Sequence, residues 1–191
     1  MIQAGKIAAI LLAAGQSHRF GQSDKLLADL DGEPLVMHAA RRLVELGPAR
    51  RIAVCGGADD APAKLLAALG FDIIANPFSE RGLSHSLALG ITEAAAGPDQ
   101  AALVCLADMP FVRRAHLETL LAHFDAGLVP VVASARAGVA MPPALFARAL
   151  FGQLREMEGD RGAREMLAAA QLVEAPAAEL ADVDVPNDLR R

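Results

Sequence analysis

The chain has no tryptophan and no tyrosine, and aromatic residues make up only 4% of it. Its 53% hydrophobic content is therefore mostly aliphatic. Alanine and leucine dominate, a composition suited to helices packed tightly on a sheet. Cysteine is equally scarce. Cys55 and Cys105 each sit inside an apolar, strand-like run, and neither belongs to a C-x-x-C pair. That excludes a disulfide scaffold and a cysteine-rich metal module, and leaves buried free thiols in a reducing cytoplasm as the expectation. Basic charge is not in excess either. The net charge of -5 and the pI near 5.5 argue against a general nucleic-acid binder or a protein of anionic membrane surfaces, whose footprint is basic. A local basic pocket stays open. No apolar run reaches membrane-spanning length, and no charged-then-apolar leader opens the chain; the expectation is a soluble, cytoplasmic protein. No linker, repeat or low-complexity tract beyond alanine richness divides the 191 residues, and Ala94–Gln100 reads as a surface loop. One domain over 1–191 is expected, large enough to bury a stable core.

The stretch Lys6–Lys25, KIAAILLAAGQSHRFGQSDK, is the most informative. The run Ile7–Ala14 is short, apolar and closed by Gly15, which fits a fully buried strand of a parallel sheet. The following loop holds Gly15 and Gly21, the cations Arg19 and Lys25, and small polar residues. Glycine lets backbone turn sharply and come close to a ligand. Exposed backbone N–H groups form a concave anion site, and a guanidinium with a flexible ammonium suits the oxygens of a phosphate chain. The spacing is neither a P-loop nor G-x-G-x-x-G. From composition alone the loop is equally an ordinary surface turn; the order of strand, small residues, Gly, Arg, Gly and Lys favours a triphosphate loop.

Beyond it, strands and helices alternate. Asp31-Gly32 marks a turn. Pro34 suits a first helical turn, and Leu35 to Leu46 has helical spacing ending at Gly47-Pro48. On this helix His38 is structural or solvated unless a partner makes it a ligand. Strands are expected at Arg51–Val54, Phe71–Ala75, Ala101–Asp108 and Val129–Ala135. Helices are expected at Ala61–Leu69, from near Ser84, from near Arg113 through Phe124, at Leu145–Met157, and from Asp160 to Ala169. This is the pattern of βαβ units around a parallel sheet. Ligands bind such sheets at the carboxyl ends of the strands, so the loops after Ala14, Ala75 and Ala107 should share one rim. There, Ser84 and Ser86 are either N-caps or hydroxyls facing a base or ribose. Asp108 either caps the next helix or offers magnesium a carboxylate, since that ion takes one or two carboxylates plus substrate phosphates. Asp160 is a natural N-cap. The alternation Asp182, Val183, Asp184 puts two carboxylates on one side of an extended segment, or forms a polar C-terminal turn.

LLAAGQSHRFGQSDKLL resembles the signature L-A-A-G-x-S-x-R-[FM]-G-x-x-K of nucleotidyltransferases, and more narrowly the MobA-like enzymes that attach a nucleotide to the molybdenum cofactor. NPFSERGLSHS, ADMP, GDRGAR and DVDVPNDL are similar to further motifs of that family. The resemblance implies a three-layer α/β/α, Rossmann-like domain of the nucleotide-diphospho-sugar transferase type, with a mostly parallel sheet. It implies nucleotide contacts from Leu12, Ala13, Ala14, Gly15, Arg19, Lys25, Asn76, Gly82, Ser84 and Ser86. Arg19, Lys25 and Asp108 would carry catalysis. Mg²⁺, or Mn²⁺, would sit on Asp108 and Asp184, with Asp182 the second choice for the latter. Asp160, Arg161 and Arg164 would lie on the acceptor side.

The implied reaction is transfer of CMP from CTP to a molybdopterin-type phosphate, with a molybdoenzyme or its chaperone as a further partner. CTP is preferred over GTP because the LSHS and GDRGAR segments look more like the cytidylyl branch. One departure stands out: Ala140-Met141-Pro142 replaces the G-H-P common in that branch, which keeps another phosphorylated acceptor open. A non-catalytic carrier of the cofactor is the alternative of a different class.

Overall fold

The strand Ile7–Ala13 (β1) is buried at every position, and both of its faces are covered. Ile7, Ala9, Leu11 and Ala13 belong to one core layer; Ala8, Ile10 and Leu12 belong to the other. Side chains alternate across a strand, so a strand with helices on both sides loses the polar alternation of a half-exposed one. That is why its sequence is an unbroken apolar run.

The computed structural model describes residues 1–15, 20, 24–157 and 166–190. A ribbon of Asp29–Leu30 (β2) and Glu33–Pro34 (β3) turns at Asp31-Gly32 and leads into the helix Leu35–Leu46 (α1). Next come Arg50–Cys55 (β4), Ala61–Ala68 (α2), Asp72–Ala75 (β5), Leu83–Ala96 (α3) and Ala101–Leu106 (β6). Arg114–His123 (α4), Val131–Arg136 (β7), Val139–Ala147 (β8), Phe151–Arg155 (α5) and Gln171–Glu174 (β9) follow. The main sheet has seven strands in the order β5-β4-β1-β6-β8-β7-β9. β8 runs antiparallel to both neighbours, and the other pairs are parallel. Residues of α1, α2 and α4 pack on one face, and those of α3 and α5 on the other. The expected α/β/α layering with a mostly parallel sheet is the one observed.

Helix boundaries follow local chemistry. Asp60 caps α2 by accepting from Ala63 N at 2.8 Å. Gly47, in the left-handed region (φ 71), ends α1. Arg148 closes α3 from outside, donating to the carbonyls of Ala95 and Gly97. α1 buries Leu35, Val36, Leu43 and Leu46, each worth roughly 1.5–3 kcal/mol by transfer from water.

Three expectations are corrected. Leu145 and Phe146 belong to β8, and the expected helix Leu145–Met157 shrinks to a 3-10 turn, Arg148–Leu150, and α5. Both faces of the end of β8 are buried, so its apolar run carried no strand periodicity. The cap of α3 is Gly82, not Ser84 or Ser86. The Asp182–Asp184 segment forms no strand. β9 was not anticipated, and of the helix expected from Asp160 to Ala169 only 166–169 falls within the described residues, where 166–168 is helical and Ala169 is already in a turn.

Candidate active site

The strand order reverses at β1: the chain goes from β1 to β4 and β5 on one side, then returns to β6 on the other. In open α/β sheets the crevice at such a switch point is where ligands bind. A cleft of about 370 Å³ opens there, within the usual size for small-molecule sites. Leu12, Ala13, Ala14 and Gly15 from the end of β1 form one wall, with Lys25, Asp108, Gly82 and Ser86 around it.

Three separate pieces of chain bring the charges together. Lys25 opens a 3-10 turn, Lys25–Leu27, capped by Asp24, whose Oδ1 accepts from Leu26 N at 2.9 Å. Asp108 lies just past β6, where Ala107 N donates to Leu12 O at 3.0 Å. Asp184 arrives from the C-terminal segment. That segment is fastened to the site by backbone: Val183 N donates to Asp108 O at 2.9 Å, and Val183 O accepts from Lys25 Nζ at 3.2 Å. Asp188 holds the same segment from behind, its Oδ2 accepting from Asp184 N at 3.0 Å and Val185 N at 3.1 Å.

The Lys25 ammonium stands 2.6 Å from Asp108 Oδ2 and 3.3 Å from Asp184 Oδ1. The lysine side chain is 11% exposed, against 22% for Asp108 and 45% for Asp184. A buried ammonium needs such partners, because an unpaired charge out of water is costly. Burial alone would lower the lysine's pKa. The charges and hydrogen bonds of Asp108 and Asp184 outweigh it and hold the pKa above its ordinary value, so Lys25 is a fixed cation at neutral pH.

Two carboxylates meeting on one cation also form a set of hard oxygen donors, the kind magnesium or manganese takes. Among the described residues no cluster of three or more His, Cys, Asp or Glu gathers anywhere. A divalent ion on two carboxylates commonly takes further oxygens from water and substrate phosphates.

Asn76, Gly82, Ser84 and Ser86 divide into two groups. Gly82 and Ser86 line the cleft. Gly82 has φ 89 and ψ -178, a conformation open essentially to glycine alone. Asn76 and Ser84 are buried and form no part of the cleft wall. Asn76 ties the loop to α3: its Nδ2 donates to Ser86 Oγ at 2.9 Å, and its Oδ1 accepts from Phe78 N at 3.1 Å and meets His85 Nδ1 at 2.9 Å. Arg19, Asp160, Arg161 and Arg164 lie outside the described residues. Asp182 is exposed, and of the two tail carboxylates it is Asp184 that meets the Lys25 ammonium, at 3.3 Å. Ser79 and Glu80 also line the cleft; they fall between Asn76 and Gly82, where spacing alone gave them no signal.

Residues set aside from the sequence are structural here. His38 Nε2 meets Leu30 O at 2.9 Å. Burial pushes the thiols of Cys55 and Cys105 up to about 12, with Asp60 and Asp24 adding to the effect at Cys55. Both are inert as nucleophiles at neutral pH.

The sheet with its switch-point cleft is the architecture of nucleotidyltransferases of the nucleotide-diphospho-sugar transferase fold. Rv0371c from Mycobacterium tuberculosis superposes with a TM-score of 0.83 at 24% identity, over 97% of this chain and 96% of that one. The same mycobacterial protein in complex with manganese superposes with a TM-score of 0.75 at 21% identity, over 97% and 96%. Residues 9–175 match the MobA-like NTP transferase domain, and the chain belongs to that family. By class it is a nucleotidyltransferase. Among relatives, the purine catabolism protein PucB of Bacillus subtilis is 28% identical over 94% of this chain and 92% of its own length. A probable molybdenum cofactor guanylyltransferase of Pyrococcus horikoshii is 33% identical over 44% of each chain.

Proposed function

We propose that the protein transfers a cytidylyl group from CTP to the phosphate of a molybdopterin-type acceptor, as a single-domain cytoplasmic enzyme. The observation that carries this reading is the convergence of Lys25, Asp108 and Asp184 beside the cleft at the end of β1. An oxygen of the acceptor phosphate attacks the α-phosphorus. As the new O–P bond forms, the bond from the α-phosphorus to its bridging oxygen breaks, and the electron pair leaves on pyrophosphate.

The chain's own work in such a step is positioning and charge neutralisation. The backbone of Ala13–Gly15 lets the nucleotide approach closely, and Gly82 and Ser86 border the same space. Lys25, with Arg19 from the phosphate loop, meets the triphosphate oxygens. Asp108 and Asp184 would hold Mg²⁺ or Mn²⁺, and such an ion would supply neutralisation of phosphate charge and polarisation of phosphorus–oxygen bonds. Asp160, Arg161 and Arg164 serve the acceptor side, and a molybdoenzyme or its chaperone receives the product. A second reading, guanylyl transfer to the same acceptor, is favoured by the likeness to the Pyrococcus protein.

The test is pyrophosphate release from purified protein with Mg²⁺ and molybdenum cofactor, CTP against GTP. Release with CTP exceeding that with GTP is expected; the reverse order selects the guanylyl reading. Lys25→Ala and Asp108→Ala should keep the wild-type circular dichroism and lose about a hundredfold in turnover, roughly 3 kcal/mol of barrier. No release with any nucleoside triphosphate overturns the proposal.

A further inference from the structure

The Lys25 ammonium does more than wait for a phosphate. It donates to the same two carboxylates proposed to hold the divalent ion, at 2.6 Å and 3.3 Å. It is anchored there a third time by Val183 O at 3.2 Å. A compact cation that contacts both carboxylates occupies the electrostatic position a divalent ion would take. Two such cations within one small, partly buried space repel strongly. The ammonium sits on a flexible four-carbon stem, and Lys25 also lines the cleft. A triphosphate in that cleft would offer it new anionic partners.

We infer that Lys25 and the divalent ion are alternative occupants of the Asp108–Asp184 pair, and that nucleotide binding moves the ammonium off the carboxylates and so admits the metal. The nucleotide is thus the key to the metal site, and the two enter together rather than metal first. The resting lysine has a structural consequence as well. It neutralises two carboxylates that would otherwise repel each other, and it pins the C-terminal segment through Val183. This inference rests on the proposed metal–triphosphate site, but its failure is separable from that of the reaction. Pyrophosphate release by the wild type with no exchange would remove only the inference.

Two measurements test it without turnover. The first is Mn²⁺ binding in the absence of nucleotide, read by the electron paramagnetic resonance of free Mn²⁺. Lys25→Met should bind Mn²⁺ about tenfold or more tighter than wild type, and the charge-conserving Lys25→Arg should stay near the wild-type value. Equal affinity for wild type and Lys25→Met overturns the inference.

The second uses the wild type alone, in case the variants do not fold. The chain has three lysines, and Lys6 and Lys64 are exposed. The one buried ammonium is therefore identifiable by its slow proton exchange in ¹⁵N-lysine spectra. That signal should persist in Mg²⁺ alone and change chemical shift when Mg²⁺ and a non-hydrolysable CTP analogue are added together. A signal that responds fully to Mg²⁺ alone, or that is unchanged with both, contradicts the exchange.

Discussion

Ser134 occupies a buried position in β7, where its hydroxyl donates to Pro143 O at 2.8 Å and meets His116 Nε2 at 2.8 Å. A serine hydroxyl has one proton to give, so the imidazole must donate from Nε2. The network assigns the neutral Nε2–H tautomer. Burial pushes the His116 pKa below its ordinary 6.5, and the nearby Glu179 charge opposes this only in part. A histidine with a depressed folded-state pKa contributes stability that is present above the unfolded value and lost as pH falls through the folded one. Stability of the wild type should therefore decline as pH drops below about 6.5, before most carboxylates titrate. Ser134→Ala leaves His116 Nε2–H and the Pro143 carbonyl without their partner, and should cost about 1–3 kcal/mol in urea unfolding at neutral pH. An unchanged midpoint would mean that water or a shifted ring replaces the hydroxyl. The residues proposed for chemistry behave differently. Lys25, Asp108 and Asp184 are held by groups far apart in sequence, so no local pattern could show that they meet. The family resemblance implied that they share one site; the backbone groups of Val183 that join them carry no side-chain signature at all.

The elements show where sequence periodicity works and where it fails. α1 was legible because one face is apolar and the other is not, and its Gly47 stop is a local signal. β8 was not legible. Its last residues face both core layers, and it contains Pro142 and Pro143, which normally argue against a central strand because proline has no N–H to give the ladder. The structure solves this with a register shift: Ala133 pairs with Ala144 but Ser134 pairs with Met141, so both prolines are passed over. α3 offers a further test. Gly90 packs its backbone onto β1, and an added Cβ would come 2.6 Å from Ile10 Cγ2 and 3.3 Å from Val54 Cγ2. Those methyls belong to β-branched side chains fixed in the sheet, so they cannot swing aside. Alanine is the better helix former by about 1 kcal/mol, yet Gly90→Ala should be net destabilising by about 1–2 kcal/mol because overpacking outweighs propensity. A thermal melt checks the sign; a stabilised variant would show that α3 can lift from the sheet at little cost.

Over the whole molecule, the connectivity does what no single element does. The reversal at β1 sets the ends of β1 and β6 side by side, and the loops of Lys25 and Asp108 converge because their strands are neighbours. The alternation of strands and helices was enough to expect this rim. It was not enough to expect the C-terminal segment, which reaches the rim by hydrogen bonds to Asp108 and Lys25 rather than by joining the sheet. Charge is distributed at the same scale. A chain of net charge -5 places a buried lysine at its cleft, consistent with anionic substrates drawn to a local site rather than to the general surface. The most direct measurement is a crystal structure with Mn²⁺ and a non-hydrolysable CTP analogue, phased on the manganese anomalous signal. The account predicts one strong peak ligated by Asp108 and Asp184, with triphosphate oxygens completing the shell and Lys25 Nζ on the phosphates. A peak elsewhere, or a triphosphate bound with those two carboxylates still paired to Lys25, would contradict it.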